Sequence, residues 1–256
     1  HMREIRIDNG QTFFKQPLAL GRLFFMFLAA VAVASVLPWV GSVLALALLP
    51  AATLGLMVAT QQALGGKFPM PSVLLTAFRS GKPLLQAMLV LGALYAAGIL
   101  GIMGITLLID GGQFARLYLL GGKISKEVLQ EGGTQAAAQV ALALYIPLSL
   151  LFWHAPALVY WSGVPPTKAL FFSLVACLRN IGAYTVFGLT WALVFALSSL
   201  VIVTIFTLLG MAEAAAAIMV GLALTMAAMF FSSFYFTFRD SFVHEAAAGG
   251  AAPPVA

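Results

Sequence analysis

Catalysis, proton relay and metal binding all need ionisable or nucleophilic side chains within reach of one another, and this sequence offers few. The titratable residue set deepest in an apolar run is His154, in the stretch Trp153-His154-Ala155-Pro156. An ionisable group inside lipid is costly and marks a functional path by default. His154 is therefore a candidate ligand or pathway residue. The plainer alternative is a neutral imidazole bonded to a carbonyl that a proline has freed. No second His, Cys or carboxylate stands at ligand spacing from it, so no metal site is expected. Cys177 is the only cysteine, which excludes a disulfide framework and a multi-thiolate zinc site, and it reads as apolar filler. Asp110, Glu127 and Glu131 share one loop and need no role beyond solvation. A Gly-x-Ser-x-Gly elbow, an HExxH helix and a glycine loop leading to Lys-Ser or Lys-Thr are all missing. No catalytic residue, no cofactor and no enzymatic activity are expected.

Three prolines extend the candidate set. Pro50, Pro147 and Pro156 fall inside apolar runs, where each removes a backbone hydrogen bond and frees the carbonyls near Leu46, Ala143 and Phe152. Freed carbonyls in apolar surroundings need partners, so these are candidate kinks around a cavity between the second and fourth runs. The alternative is that they only bend their helices.

The elements that would carry these residues follow from composition. The 256 residues are 62% hydrophobic and 8% charged. A soluble domain is about 45–50% apolar and roughly 25% charged, and disorder needs low hydrophobicity and high charge. The solvent of this chain is lipid. A bilayer crossing needs about 20 apolar residues, and six stretches meet that length: 18–37, 40–62, 84–109, 136–160, 181–209 and 214–236. They form one transmembrane domain over 1–244, with 245–256 (EAAAGGAAPPVA) expected as a disordered tail. Ten of the 13 Lys and Arg residues fall on one side, and only Arg116, Lys123 and Lys126 on the other. The positive-inside rule then puts both termini in the cytoplasm. Trp39, Tyr160, Trp161, Tyr184 and Tyr235 suit the interfacial aromatic belts. His1 is expected to be a cloning remnant before the native start at Met2, and no cleavable signal peptide is expected. The +5 net charge fits cytoplasmic flanks better than nucleic acid, since no dense basic stripe occurs.

The cytoplasmic edges resemble one another. Phe14-Lys15, Phe78-Arg79 and Leu178-Arg179 each place an apolar residue and a cation before a pair of runs, and Phe238-Arg239-Asp240 closes the series. Met70, Val73, Leu74, Ala77 and Phe78 recur at helical spacing, as an amphipathic helix in the headgroup plane would require. Residues 166–180 read as a more hydrophobic relative. The pattern predicts a threefold repeat of interfacial helix plus hairpin, although any membrane loop carries some cations. Lys15, Arg79, Arg179 and Arg239 are the candidate headgroup contacts. The loop 110–135 is expected to hold two short interfacial helices, 114–120 and 124–129, the alternative being a substrate-capturing lid. Ala93, Ala97 and Gly101, joined by Gly98 and Gly104, form a small-residue face for close helix packing within a monomer or between protomers, as do Ala223 and Ala227.

Several short motifs carry a family resemblance: Phe14-Lys15-Gln16-Pro17, Ala155-Pro156-Ala157-Leu158-Val159, Gly163-Val164-Pro165-Pro166, Ala176-Cys177-Leu178-Arg179-Asn180 and Tyr235-Phe236-Thr237-Phe238-Arg239-Asp240. Over roughly positions 10 to 242 the chain resembles a family of uncharacterised six-span bacterial inner-membrane proteins. That family is distantly similar to the membrane domain accompanying some glycerophosphodiester phosphodiesterases. The resemblance implies the bacterial cytoplasmic membrane and no established activity, the phosphodiesterase chemistry residing in a soluble domain that this chain does not contain.

The resulting expectation is an all-α, polytopic transmembrane helical bundle of six spans in three hairpins, with cytoplasmic interfacial amphipathic helices. Its expected role is non-enzymatic: binding or organising lipid-like molecules, or a membrane partner or second copy. The alternative is a small-molecule transporter or channel with its path between spans two and four.

Overall fold

The computed structural model of the protein describes residues 17–34, 37, 40–120 and 132–248, and among these every regular element is a helix. In chain order they are α1 (Pro17–Ala34), α2 (Val40–Leu64), a 3-10 turn (Pro71–Leu75) leading into α3 (Thr76–Arg79), α4 (Lys82–Asp110) and α5 (Gln113–Leu120). Then follow α6 (Gly132–Phe152), α7 (Ala155–Ser162), α8 (Pro166–Arg179), α9 (Ile181–Leu208) and α10 (Ala212–Ala248). Five helical stretches are long and apolar enough to cross a membrane: α2, α4, α6 with α7, α9 and most of α10. The apolar part of α1, Gly21–Val33, is shorter. Lys15, Trp39, the 124–129 helix and residues 249–256 lie outside the described residues.

Three elements depart from the sequence expectation. The fourth run is not one helix: α6 ends at Phe152 and α7 starts at Ala155. The amphipathic segment around 70–80 is a 3-10 turn and a single α-turn. There the Thr76 hydroxyl donates to the Val73 carbonyl at 2.5 Å, Ser80 donates to the Thr76 carbonyl at 2.8 Å, and Gly81 turns the chain away at φ +103. Hydroxyls that bond back in this way compete with helix propagation. Finally, α10 continues through Ala248, so the first residues of the expected tail are helical. Glu245-Ala246-Ala247-Ala248 are strong helix formers.

The chain divides into two compact units, one holding residues 25–55 and 71–175 and the other, of the described residues, 17–24, 56–70 and 176–248. In the first unit α4 is the central element, with α3, α5, α6 and α7 packed on it. Its buried residues Met88, Leu91, Gly92, Tyr95, Ala96, Ile99, Ile102, Met103 and Thr106 recur every three or four positions, as one helix face must. Two close approaches decide the packing. A Cβ at Gly92 would collide with the Ala47 carbonyl of α2, and one at Gly55 would stand 2.8 Å from the Leu74 Cα. Of the small-residue face expected on α4, Ala93, Ala97 and Gly101 are exposed in this single chain, while a Cβ on Gly98 would stand 2.7 Å from the Leu148 side chain of α6. The buried face runs through Gly92 and Ala96, about 100° around the helix from Ala93 and Ala97.

In the second unit α9 and α10 pack together across the turn at Gly210 (φ +71). Phe187 and Trp191 of α9 meet Phe230 of α10 at centroid distances of 5.7 and 5.8 Å. Phe24 joins the cluster through Phe231, and the Tyr184 and Ser241 hydroxyls bond at 3.1 Å. No residue of α9 is buried.

Candidate functional site

The break between α6 and α7 is where the sequence candidates and the structure meet. In an unbroken helix the His154 amide would donate to the carbonyl of Leu150, four residues back. Here a side chain from another helix stands between them. The His154 N–H donates to the Ser173 Oγ at 2.9 Å, and the Ser173 hydroxyl donates to the Leu150 carbonyl at 2.8 Å. One hydroxyl of α8 thus splices the broken ladder, the insertion that opens a kink when a polar atom enters a helix. The helix restarts with the Leu158 amide on the His154 carbonyl at 2.9 Å. Pro156 sits in the first turn of α7, where its missing N–H has no partner to lose.

Both His154 and Ser173 are fully buried. Phe152 meets Tyr95 of α4 edge-on at 5.1 Å. Pro50 is buried inside α2, whereas Pro147, inside α6, is exposed.

Among the described residues of the first unit, two cavities stand out, and His154, Pro50, Pro147 and Pro156 line neither of them. One, of about 290 Å³, lies among α4, α5 and α6, with Ile99, Met103, Phe114, Tyr118, Ala138 and Tyr145 on its walls. The short helix α5 that covers it is firmly placed. The Asp110 carboxylate accepts the Gly112 and Phe114 amides at 2.9 and 2.7 Å, and Ser42 donates to the Leu119 carbonyl. Asp110 thus caps the start of α5. The second cavity, of about 470 Å³, lies at the opposite end of α4. Pro83 and Leu84 face Tyr160 and the Gly163-Val164-Pro165-Pro166 turn there.

The candidate headgroup cations are spread over the structure. Arg79 ends α3 and Arg179 ends α8, both exposed. Arg239 lies inside α10, 5.3 Å from the Phe236 ring centroid and 3.5 Å from Asp240. The face of α8 carrying Ala169, Ser173 and Cys177 is buried. Its other side presents Phe171, Phe172 and Leu178 at 61, 44 and 52% exposure, next to Lys168 and Arg179. Among the described residues no group of three His, Cys, Asp or Glu could hold a metal.

A probable inner membrane protein of Burkholderia thailandensis is 37% identical to this chain over 253 residues, covering 93% of each. The chain belongs to that inner-membrane protein family. No family model matches it, and no solved structure does.

For an inner-membrane protein the polar splice at Ser173 has a physical motive. Lipid offers no hydrogen bonds, so every backbone group released by a break must be satisfied within the protein. Sequence reasoning expected a kinked but continuous fourth run with its freed carbonyl near Phe152; neither the break nor the Ser173 hydroxyl that bridges it to the Leu150 carbonyl was expected. The available signal was a serine between bulky residues, in Phe171-Phe172-Ser173-Leu174-Val175, spaced by four from Ala169 and Cys177.

Proposed function

We propose that the protein is a non-enzymatic, multi-pass protein of the bacterial inner membrane that binds and organises lipids. In this reading α1 completes six spans in three hairpins and both termini are cytoplasmic. The observation that carries it is α8, half buried in protein and half offering exposed phenylalanines flanked by Lys168 and Arg179. Aromatic and aliphatic side chains with cations at the rim are the chemistry that holds a helix in an anionic headgroup layer. Arg79 at the end of α3 adds a second contact of the same kind. The resemblance to the membrane domains beside glycerophosphodiester phosphodiesterases points toward glycerophospholipids.

The test is lipid retention. Purified protein in phosphatidylcholine nanodiscs with graded phosphatidylglycerol should retain anionic lipid above its bulk share. Each juxtamembrane cation is worth about 1 kcal/mol on an anionic surface, so Lys168→Glu with Arg179→Glu should lower that enrichment by about tenfold or more. A retained-lipid composition equal to the bulk, unchanged in the double variant, overturns the reading.

The helix break supports a second reading, a small-molecule transporter, because broken helices in membranes line substrate paths. It requires solute flux in proteoliposomes that His154→Ala abolishes. Flux that is absent, or indifferent to that substitution, removes it.

A further inference from the structure

We propose that the 290 Å³ cavity among α4, α5 and α6 is a lipid-tail site, holding one hydrocarbon chain of a phospholipid from the surrounding leaflet. The inference rests on the reading that the bilayer surrounds these helices and adds to it a specific place and a specific part of the lipid.

The walls select against water. A buried water needs two to four polar partners, and apart from the Tyr118 and Tyr145 hydroxyls the lining side chains are hydrocarbon or thioether. Leaving the space empty would forfeit the dispersion contacts of every wall atom. The fitting occupant is therefore hydrocarbon. The volume lies at the low end of the range for small-molecule pockets, about 300–1,000 Å³, so it suits a single chain and not a whole lipid.

Depth points the same way. Ile99 and Met103 stand 11 and 7 residues before the end of α4, about 16 and 10 Å along its axis at 1.5 Å per residue. On α6, Ala138 lies about 9 Å beyond its start. These ends adjoin, since a Cβ on Gly133 would be 3.8 Å from the Asp110 Cβ. Half of a 30 Å hydrocarbon core is about 15 Å. The cavity thus occupies the depth of tails within one leaflet.

Access is lateral. Leu142 is 63% exposed and Tyr145 40% exposed while both line the cavity, so its wall on α6 is also part of the outer surface of the helix. The floor, at Ile99 and Met103, is buried. A chain can slide in between α5 and α6 without leaving hydrocarbon, and Asp110 and Ser42 hold α5 over it.

The test is photolabelling in phosphatidylcholine vesicles with two probes of equal chain length: a diazirine-tailed phosphatidylcholine and the free diazirine fatty acid. The phospholipid probe should label residues 99–103 and 138–145 about tenfold above the exposed Leu189 and Leu200 of α9, the ratio given by 1.4 kcal/mol of preference. Ala138→Phe, which fills the cavity, should lower that labelling to the α9 level and leave α9 labelling unchanged. Ala138→Leu provides the same comparison with less strain if the phenylalanine variant fails to fold. Equal labelling of both regions, labelling unaffected by cavity filling, or labelling by the free acid alone each overturns the proposal. The probe headgroup is zwitterionic, so loss of anionic enrichment leaves this readout intact. Uniform tail labelling with anionic enrichment retained overturns the tail site alone.

Discussion

Helices α4 and α9 are near twins in sequence character, 29 and 28 residues of almost continuous apolar side chain. Their environments differ entirely. Nine residues of α4 are buried on one face, and none of α9 is. In water such a difference would be written in the pattern of polar and apolar positions. In a bilayer the lipid tails are as apolar as a leucine core, so packing is driven by close fit and by polar hooks. The first unit has both: a glycine that admits the Ala47 carbonyl, and the Ser173 hydroxyl that splices α6 to α7. The second unit has a ring cluster between α9 and α10 and polar contacts around the Tyr184 hydroxyl, the 3.1 Å bond with Ser241 among them.

The comparison breaks most visibly with leucine truncations. Leu91→Ala in α4 removes a fully buried side chain and should cost about 2–5 kcal/mol. Leu189→Ala in α9, 64% exposed, should stay within about 0.5 kcal/mol. Thermal unfolding in one detergent measures both, and equal losses would erase the distinction between the helices.

Glycine replacements sharpen it next. Gly92→Ala must displace a backbone carbonyl and should destabilise by about 1–3 kcal/mol. Gly188→Ala meets open space and should gain up to about 1 kcal/mol from helix propensity. Opposite signs in one unfolding assay are the expected outcome.

Ser173→Ala removes the splice and leaves a buried amide and carbonyl facing each other, at about 1–3 kcal/mol. If the helix instead closes directly from His154 to Leu150, stability recovers while the angle between α6 and α7 falls. Amide exchange at His154 and spin-label distances across the break separate the two outcomes.

The smallest effect belongs to the second unit. Tyr184→Phe removes a hydroxyl that bonds Ser241 at 3.1 Å and also meets Cys177 and Thr237, and should cost about 0.5–1.5 kcal/mol, with no change in the Leu91 region. Residue-resolved hydrogen exchange gives both readings.

The legible part of the site was a disturbance at His154 and Pro156, read as a kink within one helix and not as a break. Pro156 cannot donate and His154 is polar in an apolar run, and each is visible in a line of letters. What fills the break was not legible, because Ser173 lies 19 residues on and serines within apolar runs are common. The prolines illustrate the same limit. Pro50 and Pro147 read alike, yet one is buried and the other exposed. Periodicity marked 93–97–101 as a small-residue face of α4, whereas the face packed within the first unit runs through 92–96. Both faces satisfy fourfold spacing, and only the position of α2 distinguishes them.

Charge scarcity and run lengths by themselves determined that the chain is helical, that membrane is its solvent and roughly where the long apolar runs lie. Those properties follow from the energy of transferring a segment into lipid, which sums over residues without regard to neighbours. The tertiary structure decided which face of α4 is inside, what closes the α6–α7 break and where a cavity remains. These depend on atoms meeting at close range, and in hydrocarbon surroundings composition carries no record of such meetings.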